Sequence, residues 1–162
     1  PYGLFINLKD NEGTTEGRTK IFTLFIDRNE PTEQGYGQCN QESGNGVCSC
    51  LLGDECLEQY EMQRNIAISD IKVKALNNEV CEADTVDQLA VTFRRPNPEA
   101  IIEWQTVGIS GYDFVQIEVS DNQEQFKSYV LIRETGQITV SQTDICTTLG
   151  LGGSDDNGSN DN

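Results

Sequence analysis

Cysteine and carboxylate are the side chains this sequence offers for chemistry. Six cysteines, Cys39, Cys48, Cys50, Cys56, Cys81 and Cys146, stand beside 27 acidic residues and no histidine. An even cysteine count without histidine, and without the paired CxxC of a zinc ribbon, points to disulfides rather than zinc. Cysteines oxidised in pairs carry no thiolate, and without histidine the Ser-His and Cys-His nucleophile systems are excluded. Carboxylates that lie close in sequence, such as Asp54-Glu55 and Glu30 with Glu33, are expected from composition alone. A glycosidase dyad does not follow from them. No catalytic residue is predicted, and the chain is not expected to be an enzyme.

Two stretches have part of a calcium pattern. Asp155, Asn157 and Asp161 place oxygen ligands around Gly158 as in half an EF-hand loop. Gly153 occupies the first position, and the chain ends before the bidentate Glu that such a loop needs at its twelfth. Asp27-Arg28-Asn29-Glu30 is the second stretch. Solvated acidic turns account for both without a metal, so no cofactor is assigned and calcium is kept only as a candidate. Asn157-Gly158-Ser159 matches the glycosylation sequon. Trp104 and Tyr112 flank the Gly108–Gly111 turn and form a candidate sugar-stacking platform, although a lone Trp on a strand packs into a core just as readily. Arg94-Arg95 is a candidate interface anchor, because arginine pairs with carboxylates in a bidentate fork.

These residues must be held by a domain of 162 residues and 18.0 kDa, 36% hydrophobic and 23% charged. That size suits one domain with its own core. The apolar runs Leu4–Ile6 and Leu24–Ile26 are too short to span a bilayer. The net charge of −16 disfavours nucleic acid, which binds through Lys and Arg, and anionic membranes for the same reason. The sequence begins at Pro1 with no signal peptide, which suggests maturation or a cut fragment.

Alternation of apolar residues predicts a mostly β fold of two antiparallel sheets packed as a sandwich over residues 1–148. Pro1–Asp10 and Thr19–Asp27 read as strands, the second apolar on both faces and therefore central. Arg28–Cys56 reads as a disulfide-stapled loop insertion whose four cysteines allow three pairings. Asp54–Arg64 fits a short helix capped by Asp54 or a strand from about Leu57. Asn65–Leu76 reads as a strand that changes parity near Ser69-Asp70, the mark of a bulge. Leu89–Val140 reads as a four-stranded antiparallel meander wetted on one face, with Arg94–Pro98, Gly108–Gly111, Asp121-Asn122 and Thr135-Gly136 as turns. Cys81 precedes that meander and Cys146 follows it, so these two are expected to pair. Residues 149–162 read as an acidic Gly/Ser/Asp/Asn-rich tail.

Four segments carry a family resemblance. VTFRRPNPEA (91–100) and SYVLIRETGQITVS (128–141) resemble the end of a type IV pilin-like subunit, most of all the H-type minor pseudopilins of type II secretion and type IV pilus assembly. PYGLFINL (1–8) and KIFTLFIDRNEP (20–31) are similar to that family's first strands after its long N-terminal helix. The resemblance runs in order from Pro1 to Cys146. It implies an exported, extracellular head whose partners are other pilin-like subunits and which meets a membrane only through a helix absent from this sequence. It also implies that the first hairpin lies under that helix, exposing an apolar strip, with Phe5 and Phe22, where the helix is missing. The alternative is a secreted carbohydrate- or calcium-dependent binding module using Trp104, Tyr112 and the loop from Asp155 to Asp161.

Overall fold

A computed structural model describes residues 1–8, 18–26, 56–63, 65–76, 81, 86, 88–94, 99–104 and 112–150, without the side chains of 103, 104, 149 and 150. Nine strands and one short helix follow in order: β1 (Tyr2–Asn7), β2 (Ile21–Ile26), β3 (Cys56–Glu61), β4 (Ile66–Ala75), β5 (Gln88–Phe93), β6 (Ala100–Trp104), β7 (Tyr112–Asp121), β8 (Lys127–Arg133), β9 (Ile138–Ser141) and α1 (Ile145–Gly150). They build a five-stranded sheet, β3-β2-β1-β5-β6, and a four-stranded sheet, β4-β7-β8-β9. All named strand pairs are antiparallel.

The sheets pack face to face, because period two sends alternate side chains of each strand to the same side. Ile6 and Leu8 of the first sheet's side, Leu89 and Val91 of β5, and Ala100 and Ile102 of β6 meet Ile71 and Val73 of β4, Val115 and Ile117 of β7, and Ile132 of β8. Thr19 bridges to Ile68, and the Ala100 N–H donates to the Glu134 carbonyl at 2.8 Å, so both margins of the sandwich are tied by backbone. The expected sandwich is therefore present.

Several finer expectations resolve. Residues 56–61 form a strand rather than a helix, paired to β2 with a register shift at Leu24/Phe25. The bulge expected near Ser69-Asp70 is present as a register shift between Ile68 and Asp70. β2 is interior, as its apolar faces require. The Asn77-Asn78 turn lies outside the described residues.

The meander over 89–140 is corrected. β5 pairs with β1 and with β6, whereas β7, β8 and β9 belong to the other sheet. The chain thus changes layers between β6 and β7, and β6 itself lies between two expected turns where no strand was named. Nor is the polar face of β7 wet: Gln116, Glu118 and Ser120 are all buried. Their row is covered because Phe114, Tyr129, Leu131, Ile145 and the Cys81 and Cys146 pair form a second cluster on that side. Part of the opposite outer face is buried too, where Phe25, fully enclosed, packs with Phe5, Ala90 and Cys56.

Candidate functional site

Both carboxylate oxygens of Asp144, which precedes α1, are hydrogen-bonded. Its Oδ1 accepts from the Thr147 N–H at 3.0 Å, the bond that caps a helix start. The same oxygen accepts from Gln116 Nε2 at 2.8 Å, and Oδ2 accepts from Lys72 Nζ at 2.8 Å and the Thr147 hydroxyl at 2.6 Å. Gln116 completes the arrangement, its Oε1 accepting from the N–H groups of Ile145 and Cys146. Burial alone would raise the Asp144 pKa, but the hydrogen bonds from Gln116, Lys72 and Thr147 outweigh it and hold the carboxyl far below the usual range. Burial likewise opposes the Lys72 ammonium, and the bond and charge of Asp144, with Asp70 and Glu118, leave its pKa raised. A carboxylate with both oxygens occupied and its proton lost is a clamp, not a general acid. It fastens α1 across β4 and β7.

The expected Cys81–Cys146 disulfide reinforces the same clamp from the other side. Cys56 is disulfide-bonded as well, with its partner outside the described residues. Cys39, Cys48 and Cys50 lie outside them.

The core-facing side of the five-stranded sheet is not wholly covered by the other sheet. Leu4, Phe22 and Phe93 touch the core while half-buried, and Leu24 and Ile26 are half-buried beside them. Tyr60 stacks on Phe22 with ring centroids 5.3 Å apart and is 40% exposed. Its hydroxyl donates to Glu58 at 2.7 Å, a bond that raises the phenol's pKa. Tyr2, on the face of Leu4 and Ile6, is also exposed. This row of aromatic and aliphatic groups is the candidate contact surface.

The sequence-predicted site residues are only partly gathered there. Phe22 belongs to the row. Phe5 does not: it stands opposite Thr23 while Ile6 stands opposite Phe22, so Phe5 and Phe22 occupy opposite faces. Phe5 is buried with Phe25, whereas half-buried Leu4 and exposed Tyr2 share the face of Phe22. Arg94 is exposed at the end of β5, its N–H donating to the Glu99 carbonyl. Arg95, Asp155, Asn157, Asp161, the Asp27–Glu30 stretch and the sequon lie outside the described residues. Tyr112 is buried in the core, so it presents no ring for sugar stacking. Among the described residues no three acidic or cysteine side chains gather as a metal site.

Asp144 and Gln116 escaped the sequence reading. The signal for Asp144 was present, an Asp directly ahead of Ile145 with Thr147 three positions on. Gln116 looked like an ordinary solvent-facing residue between Val115 and Ile117, and nothing local distinguishes it.

Among the described residues no helix is long and apolar enough to cross a membrane. Comparison with family models, with curated proteins and with solved structures finds no match to this chain.

Proposed function

We propose that this chain is the exported globular head of a type IV pilin-like subunit, a minor pilin or pseudopilin that assembles into a surface filament or secretion pseudopilus. The observation that carries the reading is the incompletely covered row from Tyr2 and Leu4 to Phe22 and Tyr60 on the first hairpin and its neighbour. A long apolar helix, which the resemblance places ahead of that hairpin, would find apolar cover there. The Cys81–Cys146 disulfide suits an oxidising, extracellular location. The role is structural: the helix packs in the filament core and the head meets neighbouring subunits through loops and sheet edges.

The test is to read the coding sequence upstream of Pro1. The reading requires a short basic leader, a processing site and about twenty apolar residues. A conventional secretory signal ending at Pro1 would overturn it.

A further inference from the structure

Cys146 is held twice over on the outer side of the second sheet. Its sulfur joins Cys81, at a sequence separation of 65, across a Cα–Cα distance of 5.3 Å. Its backbone N–H donates to Gln116 Oε1 at 3.4 Å, beside the Ile145 N–H at 2.9 Å. Gln116 is fixed in turn, its Nε2 donating to Asp144 at 2.8 Å, and Lys72 Nζ donates to Asp144 at 2.8 Å. Lys72, Asp144 and Gln116 therefore form a hydrogen-bonded series that ends on the backbone of a residue whose sulfur can be oxidised.

Both fasteners act on one small element. α1 has six residues, too few to persist as a helix by itself. Its apolar hold on the sheet comes from Ile145 and Cys146, which join Phe114, Tyr129 and Leu131. With the disulfide open, only that hold and the hydrogen bonds from β4 and β7 keep the Cys146 thiol in place.

We propose that α1 is a redox-sensitive strap in which Lys72, Asp144 and Gln116 are positioning residues for the Cys81–Cys146 pair. They keep the Cys146 thiol at Cys81 while the bond is open, and so shift thiol–disulfide exchange toward closure. The co-reactant is a small disulfide such as glutathione disulfide. One protein thiolate attacks it and expels a glutathione thiolate, and the second protein thiolate attacks the mixed disulfide and expels the other. The protein loses two electrons and two protons, and glutathione disulfide becomes two glutathione thiols. A docked α1 makes closure local, whereas an undocked chain end would meet Cys81 at a far lower effective concentration. The coupling is reciprocal, so the closed bond also holds the hydrogen bonds. The strap opens, and uncovers Phe114, Tyr129 and Leu131, only when both fasteners are lost. The inference does not depend on the filament reading, and its failure would leave that reading standing.

Equilibration of the full chain with reduced and oxidised glutathione tests it, read by acid quenching, alkylation and mass spectrometry of the peptides carrying Cys81 and Cys146. Asp144→Asn should lower the exchange constant of this pair by about tenfold, the scale of one charged hydrogen bond. Lys72→Met leaves the Asp144 cap of α1 in place and should move the constant in the same direction, which separates positioning from loss of the helix. Glu124→Gln alters an exposed carboxylate that pairs with Lys127 and should leave it unchanged. In concentrated guanidinium chloride all four proteins should coincide, because the hydrogen bonds do not survive unfolding. In the reduced protein, amide exchange at Ile145 and Cys146 should be slower in the wild type than in either clamp variant. Equal constants in the wild type and both clamp variants would overturn the proposal, as would a difference that persists in denaturant.

Discussion

Asp144 concentrates several jobs in one carboxylate: it caps α1, anchors Gln116 and neutralises Lys72. Lys72 and Asp144 side chains are only 17% and 18% exposed, so their pairing is shielded from salt more than a surface ion pair would be. Asp144→Ala should destabilise the fold by about 2–3 kcal/mol, the combined scale of a charged hydrogen bond and a lost cap. Because the folded-state pKa is depressed, the contribution is complete above the ordinary value of 3.8 and declines as pH falls below it. Urea midpoints of the wild type and the variant should therefore differ at pH 6 and draw together at pH 2.5. An equal separation at both values would mean that the ionised carboxylate is not what holds α1. Glu118 forms a smaller version of this clamp, accepting from Ser69 Oγ at 2.9 Å and paired with Lys127 at 3.0 Å.

At the scale of the element, β1 depends on having no side chain at Gly3. Gly3 stands opposite Phe25, and a Cβ built on Gly3 would collide with the fully buried Phe25 ring. Gly3→Ala should cost about 1–3 kcal/mol through overpacking, read by denaturant unfolding. Combining it with Phe25→Leu should recover part of that loss relative to the sum of the single changes. The elements also show what sequence could and could not reveal. β1, β2 and β4 were legible because each alternates or is apolar over a length no helix would fit, and the parity break at Ser69 announced its bulge. β6 was not, because Ala100-Ile101-Ile102 shows no alternation to read. The side of β7 bearing Gln116, Glu118 and Ser120 was misread for a different reason. Polarity along a strand marks hydrogen-bonding need, and here protein groups meet that need: Asp144 for Gln116, Ser69 and Lys127 for Glu118, and Arg18 Nη2 for Ser120 at 3.1 Å. The candidate contact row was half legible. Phe22 stood out as apolar, but assigning faces to Phe5 and Phe22 required the β1–β2 register, which their intervening turn leaves open.

For the molecule as a whole, each sheet is partly covered on its outer side as well as between the layers, so the described residues form three apolar clusters. The Cys81–Cys146 bond encloses five of the nine described strands, from β5 to β9, in one covalent loop. That has a mechanical meaning. A pull applied between the two ends of the chain passes through the sulfur bridge and leaves β5 to β9 off the load path. Of the described strands, β1 to β4 are the ones that lie on the load path. The sequence separation of 65 between the cysteines hides roughly 210–230 Å of extensible chain. Force spectroscopy should record a contour length shorter by at least that amount than after full reduction, which also opens the Cys56 bridge, and an unchanged length would show that the Cys81–Cys146 bond does not shield the loop. A domain built this way yields under tension from its N-terminal side first and keeps its later strands on a short tether.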